Sequence, residues 1–114
     1  MTLKNKRPCG YFEVLSDAPN HKVKRIVVEP GGILSLQRHK LRSEHWFVVA
    51  GKGIASVDGK DYSVQAESTV DIPVKKTHRL ENSSTENLVI IEVQTGKYFG
   101  EDDIERLEDK YGRA

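Results

Sequence analysis

Short runs of alternating apolar and polar residues fill the first hundred positions of the chain, with turn signals at intervals of roughly ten residues, a spacing typical of all-β domains. Apolar residues at every second position indicate strands with one buried face. The pattern predicts strands over Tyr11–Leu15, Lys22–Glu29, Ile33–His39, Glu44–Ala50, Ile54–Val57, Tyr62–Gln65, Thr69–Ile72, His78–Glu81 and Leu88–Gln94. Asp58-Gly59 is a strong signal for a tight hairpin. This succession predicts an all-β barrel or sandwich.

The end of the chain has the only helical pattern. The acidic run 101–103 suits the positive end of a helix dipole. Ile104 and Leu107 lie three positions apart on one helix face, and Gly112 could end the helix. The sequence therefore predicts a short C-terminal helix that covers an edge of the barrel.

Length and composition narrow the class of protein. With 114 residues, the chain is predicted to form one domain, residues 1–114. Its formal net charge of +1 argues against nucleic-acid binding. No apolar run approaches the roughly 20 residues of a membrane span, and the first residues lack the apolar core of a signal peptide. The single cysteine, Cys9, excludes an internal disulfide, so we expect a cytoplasmic protein without membrane or nucleic-acid partners.

Two separated segments offer ligands for one divalent metal ion. Gln37, His39 and Glu44 occur with the spacing Q-x-H-x4-E, and His78 follows in P-V-K-K-T-H. Residues two apart on a strand share a face, so Gln37 and His39 should project together. Two imidazoles, a carboxylate and an amide oxygen suit Zn²⁺ best, with Mn, Co, Fe or Ni also compatible. A metal-free barrel in which these residues bond one another is the alternative.

These residues resemble the two signature motifs of cupins. Gly31, Gln37, His39, Glu44 and Gly51 fit the first motif, and Pro73, His78 and Asn82 fit the second, with Lys75 at a usual glycine position. The resemblance implies a cupin fold, a double-stranded β-helix with a jelly-roll-like barrel. Cupins often dimerise, so a homodimer is expected, and the strand Tyr11–Leu15 is a candidate edge for pairing.

A closer resemblance extends over most of the chain. R-P-x-G-Y-F-E-V-L, L-S-L-Q-R-H-x-x-R-S-E-H-W-F-V-V-A-G and I-E-V-Q-T-G-x-Y-F-G-E-D-D-I-E-R-L-E-D resemble the C-terminal domain of bacterial bifunctional mannose-6-phosphate isomerase/mannose-1-phosphate guanylyltransferases. That family also carries glutamine at the first ligand position. The resemblance implies a metal-dependent isomerase of GDP-mannose biosynthesis that interconverts mannose 6-phosphate and fructose 6-phosphate. A non-catalytic sugar- or sugar-phosphate-binding cupin is the first alternative, and an oxygen-dependent metal cupin is the second.

Isomerisation between C1 and C2 of a phosphosugar requires proton transfer and stabilisation of an enediolate. The candidate catalytic residues are Arg42, His45 and Glu92. Arg42 lies in the turn between the ligand strands and could hold a phosphate or an oxyanion, or be merely solvated. Glu92 interrupts the apolar strand L-V-I-I-E-V, where burial could raise its pKa or an arginine could pair with it. His45 should face away from the metal, which favours a packing or interface role over proton transfer.

The basic cluster of one strand and the single tryptophan each allow two interpretations. Lys22, Lys24 and Arg25 form a basic cluster on one strand, which is typical of a solvated face but could recruit phosphate. Trp46 shares the parity of Glu44 and should face the interior, beneath a sugar or within the core. Cys9 is interpreted as a small packing residue.

Overall fold

The computed structural model describes residues 4–112, and within that range it contains strands and turns but no helix. The strands are β1 (Lys4–Arg7), β2 (Gly10–Ala18), β3 (His21–Val28), β4 (Leu36–Arg38), β5 (Arg42–Ala50), β6 (Lys52–Val57), β7 (Lys60–Gln65), β8 (Thr69–Ile72), β9 (His78–Glu81), β10 (Leu88–Gly96) and β11 (Glu105–Glu108). Met1–Leu3, part of the segment judged to lack a signal peptide, lie outside the described residues. No helix in the described range is long and apolar enough to cross a membrane.

Two antiparallel sheets face each other across one core. The larger has the strand order β1-β2-β3-β10-β5-β8, and the smaller has the order β11-β4-β9-β6-β7. Alternate side chains of each strand point inward, and these form a continuous apolar cluster. Its buried members include Val28, Val48, Ala55, Val64, Ile72, Leu80, Leu88 and Ile90. This architecture confirms the predicted all-β cupin fold.

Each predicted strand overlaps one of β2–β10, but β1 (Lys4–Arg7) was not predicted, and the bounds differ most near the first ligand segment. Strand β4 is confined to Leu36–Arg38, so His39 follows the strand rather than ending it. The hairpin between β6 and β7 forms at Asp58-Gly59, where both residues have positive φ, 51° and 80°, as a two-residue primed turn requires.

The predicted C-terminal helix is wrong. Glu105–Glu108 forms β11 and pairs with β4, and Arg38 forms a two-pronged ion pair with Glu105 at 2.9 and 3.0 Å. The Asp103 carboxylate accepts hydrogen bonds from the backbone amides of Lys40 and Leu41 instead of capping a helix. A pattern this short gives a helix little intrinsic stability, so tertiary partners decide the conformation.

The predicted edge strand is also wrong. Tyr11–Leu15 lies within β2, and that strand pairs with β1 on one side and β3 on the other. Among the described strands, β1 forms this edge of the larger sheet. The homodimer stays a prediction, and β1 already covers residues 11–13 of the edge expected for it.

Candidate metal centre

Three buried side chains bring possible metal ligands together inside the barrel. His39 follows β4, Glu44 lies on β5 and His78 opens β9. One ligand atom from each lies within 4.8 Å of the others. Gln37, the fourth predicted ligand, is the direct β4 partner of His78 and lines the same pocket. The structure therefore brings together three of the four predicted ligands, His39, Glu44 and His78. Gln37 lies beside them on β4, and its role as a ligand stays a prediction.

Backbone carbonyls fix the orientation of both imidazoles. His39 Nδ1 lies 2.5 Å from the Asp103 carbonyl oxygen, and His78 Nδ1 lies 3.2 Å from that of Lys76. A carbonyl can only accept, so each Nδ1 carries the proton and each Nε2 has a free lone pair when the ring is neutral. This second-sphere bond to Nδ1 is the usual arrangement for histidines that bind metal through Nε2.

The protonation states also suit a metal. Burial, together with the Arg42 charge, lowers the pKa of His39 to about 4, and burial likewise lowers the pKa of His78. Both rings are therefore neutral at pH 7. His78 Nε2 is fully buried and has no hydrogen-bond partner among the described residues, although it lies 3.5 Å from Glu44 Oε1. A metal ion bound there would satisfy this nitrogen.

Arg42 is part of the centre rather than of its solvated mouth. Its side chain is only 4% exposed, and both Nε and Nη2 lie 3.0 Å from Glu44 Oε2. Nη2 also lies 3.2 Å from His39 Nε2. His39 Nε2 has one lone pair. If it binds a metal ion, Arg42 Nη2 must give up its contact with this nitrogen.

Glu92 lies on β10, opposite Trp46 of β5, and faces the same pocket. Trp46 Nε1 donates to one carboxylate oxygen at 3.0 Å, and Gln94 Nε2 donates to the other at 2.6 Å. Burial, together with the nearby charge of Glu44, raises the pKa of Glu92 to about 7. Its burial makes Glu92 a group that can hold or release a proton near neutral pH.

His45, the third candidate catalytic residue, does not lie in this site. Strand alternation turns its ring to the outer face of the sheet, where it is 53% exposed and Nδ1 lies 2.7 Å from Asp71 Oδ1. The structure thus does not bring His45 together with the other predicted site residues, and its catalytic role stays an untested prediction.

The pocket also contains charged residues outside the predicted site set. Arg7, Lys24, Glu101 and Arg106 line it together with Gln37, His39, Arg42, Glu44 and Glu92. Of these four, the sequence indicated only Lys24, as part of a basic cluster that could recruit phosphate. Lys24 carried a usable signal, because it shares the parity of Ile26 and Val28, whose side chains point inward from β3. No local signal places Arg106 or Glu101 there, since each arrives through the path of the C-terminal segment.

Asn82 and Trp46 have structural roles in the barrel. The Asn82 amide donates to the carbonyls of Val28 and Glu86, which ties a loop to β3. Trp46 is buried in the core and lies edge-on to His78, with ring centroids 5.8 Å apart. Cys9 is buried in the same core, in keeping with a packing residue.

Two facing antiparallel sheets with two histidines and a glutamate converging between them form the architecture of a cupin. Comparisons with known proteins make the assignment more specific. The family model for mannose-6-phosphate isomerase C-terminal domains matches residues 1–109. The chain therefore belongs to this family.

The named relatives are bacterial enzymes of mannose metabolism and polysaccharide synthesis. The chain is 43% identical over 108 residues to a mannose-1-phosphate guanylyltransferase of Klebsiella pneumoniae, covering 95% of this chain and 23% of the relative. It is 47% identical to the alginate biosynthesis protein AlgA of Pseudomonas aeruginosa, covering 95% and 22%. The chain thus spans less than a quarter of the length of these relatives.

Solved structures show the same fold. The capsular polysaccharide assembling protein CapF of Staphylococcus aureus superposes with a TM-score of 0.83 at 27% identity, covering 96% of this chain and 35% of CapF. An oxalate decarboxylase of Lactobacillus farciminis superposes with a TM-score of 0.81 at 19% identity, covering 93% and 33%, and this likeness concerns the fold alone.

These findings overturn the predicted function. The relatives that match almost the whole chain are named for guanylyl transfer and polysaccharide biosynthesis, and this cupin forms only their C-terminal part. The prediction of an isomerase that interconverts mannose 6-phosphate and fructose 6-phosphate is therefore wrong. The prediction took the isomerase activity from a resemblance to one domain, whereas the relatives are larger proteins named for guanylyl transfer or polysaccharide biosynthesis.

Proposed function

We propose that the chain is a zinc-binding cupin module that binds a phosphorylated sugar within GDP-mannose metabolism. The observation that carries this proposal is the buried Nε2 of His78, which has no hydrogen-bond partner in the described range and faces Glu44 beside His39. A neutral histidine pair and one carboxylate suit zinc, with Gln37 as a neutral fourth ligand.

The proposed ligand follows from the charge of the pocket and the names of the relatives. Arg7, Lys24, Arg42 and Arg106 line the pocket, against the three carboxylates of Glu44, Glu92 and Glu101. Because the pKa of Glu92 is raised to about 7, this carboxyl group is partly protonated at neutral pH, and the negative charge of the pocket is smaller still. An excess of positive charge favours an anionic ligand, and the relatives named for mannose 1-phosphate indicate a hexose phosphate.

Each residue has a separate task in this proposal. Bound zinc would act as a Lewis acid towards a sugar oxygen. Arg42 would hold a negatively charged oxygen of the ligand after leaving His39 Nε2. Glu92 would hold a proton at one carboxylate oxygen, while Trp46 Nε1 donates to the other.

Metal analysis of two histidine variants tests the proposal. His78→Ala removes a ligand and should lower zinc affinity by about 10-fold or more. His45→Ala is the matched control, because it removes an exposed imidazole outside the pocket and should leave zinc binding unchanged. Equal zinc content in wild type and His78→Ala, measured by elemental analysis after dialysis, would reject the metal centre.

Binding of the sugar is tested by calorimetry on the zinc-loaded chain. We expect mannose 1-phosphate and mannose 6-phosphate to bind, and unphosphorylated mannose to bind at least about tenfold more weakly, since it lacks the charge-assisted contacts. Equal affinity for mannose and its phosphates would contradict the proposed ligand class.

A further inference from the structure

The Glu101 carboxylate lies among three cationic side chains at the pocket wall. Its oxygens are 3.2 Å from Lys24 Nζ, 3.6 Å from Arg7 Nη2 and 3.7 Å from Arg42 Nη1. None of the three cations forms the two-pronged ion pair that Arg38 forms with Glu105 elsewhere in the chain. One carboxylate therefore interacts with three cations, of which Lys24 is the nearest and lies at hydrogen-bond distance.

Lys24 makes this arrangement unusual, because its side chain is only 3% exposed. A buried ammonium requires a partner, and Glu101 is the anion with which the structure pairs it. The ammonium also lies 4.3 Å from the centre of the Phe12 ring, and Arg7 lies 4.6 Å from the same ring. The face of the Phe12 ring thus makes cation–π contacts with two of the three cations.

Glu101 itself is held differently from the cations. It belongs to the turn between β10 and β11, and its side chain is 48% exposed. It can therefore move into water without opening the core, whereas Lys24 cannot. A half-exposed anion that contacts a buried cation is the arrangement expected where an external anion can take its place.

The same turn is attached to the metal centre. Arg42 Nη1 contacts the carbonyls of Phe99 and Gly100, and His39 Nδ1 donates to the carbonyl of Asp103. Displacing Glu101 would thus act on the segment 99–103, which orients one proposed zinc ligand and the arginine beside it.

We propose that Arg7, Lys24 and Arg42 form a phosphate subsite that Glu101 occupies until the phosphate of a sugar ligand displaces it. A phosphate monoester carries up to about two negative charges and three terminal oxygens at neutral pH, so it matches three cations better than one carboxylate does. The inference rests on the proposed phosphosugar ligand and adds where its phosphate binds.

The test measures binding of inorganic phosphate to the metal-free chain, so it does not depend on zinc. Glu101→Gln removes the competing charge and should tighten phosphate binding by about threefold or more. Lys24→Met and Arg7→Gln remove cations and should weaken it, by about tenfold for the buried lysine. Glu105→Gln is the control, because it removes a carboxylate of the same C-terminal segment that pairs with Arg38 outside the pocket.

Circular dichroism and a thermal melt establish that each variant is folded. If Lys24→Met does not fold, Arg7→Gln and Glu101→Gln still decide, since both side chains are substantially exposed. Phosphate affinities of Glu101→Gln and Arg7→Gln equal to that of Glu105→Gln would overturn the subsite. If the wild-type chain does not bind zinc, the proposed function is rejected, but the phosphate affinities of the variants still decide whether the phosphate subsite exists.

Discussion

Individual residues at the centre keep their neutral forms over a wider pH range than they would in the unfolded chain. His39 and His78 are neutral because burial lowers the pKa of each, and Glu92 retains a proton towards pH 7 because burial raises its pKa. Such opposite shifts within one pocket are typical of functional sites rather than of ordinary cores. They also make the stability of the barrel depend on pH.

Substituting Glu92 should reveal this dependence. The pKa of Glu92 is raised from 4.5 to about 7, so between these values the folded chain binds a proton that the unfolded chain releases. The contribution of Glu92 to the free energy of unfolding is therefore greatest below pH 4.5 and is lost as pH rises through 7, by at most about 3 kcal/mol.

Glu92→Gln lacks this proton. Relative to wild type, we expect its free energy of unfolding to increase as pH rises from 4.5 to 8, measured by urea unfolding of metal-free protein. Comparing the two proteins at each pH removes the opposite contribution of the histidines. Parallel pH profiles would show that Glu92 is ionised throughout.

Arg42 is expected to compete with the metal. Its Nη2 contacts the same His39 nitrogen and lies 3.0 Å from Glu44. Arg42→Gln should therefore bind zinc more tightly, by about tenfold, while binding phosphorylated sugars more weakly. Arg38→Gln, on an exposed arginine, is the control. Weaker zinc binding in Arg42→Gln would mean that the arginine serves mainly to position Glu44.

At the scale of elements, the strand pattern was predictable and the C-terminal segment was not. Period-two alternation determined the strands of the barrel and placed Gln37, Glu44 and His78 on inward faces. The segment 99–103 lacks such a period, and its conformation depends on partners about 60 residues away, such as Asp103 with Lys40 and Leu41. Local propensity therefore predicted a helix where long-range contacts form a turn and β11.

Gly96, at the end of β10, directs the chain into this segment. Its φ is +145°, and a Cβ built there would lie 2.3 Å from the Leu41 carbonyl oxygen. Gly96→Ala should therefore lower the free energy of unfolding by about 1–3 kcal/mol and also weaken zinc binding, because the segment that orients His39 must shift. Gly59→Ala is the control: its φ is +80° but nothing lies within 4 Å of the added carbon.

The two variants separate strain from function. Gly59→Ala should lose stability through its backbone angle alone and keep the zinc affinity of wild type. Similar zinc affinities for both variants, measured where both are fully folded, would show that the segment is not coupled to the metal centre.

For the whole molecule, the assembly state stays a prediction. The expected homodimer no longer has Tyr11–Leu15 as its edge, but Phe47 and Val49 expose apolar surface on the outer face of β5. Light scattering at micromolar concentration should give twice the 12.9 kDa of one chain. A particle of one chain's mass would contradict the homodimer.

The position of β10 has a consequence for synthesis of the chain. It is the second-to-last strand in sequence, yet it lies between β3 and β5 in the larger sheet. Until it leaves the ribosome, those two neighbours have no strand to join them, and the apolar residues Val28 and Val48 remain in water. The nascent chain should therefore stay open and dependent on chaperones until the strand Leu88–Gly96 emerges, and then close in one late step.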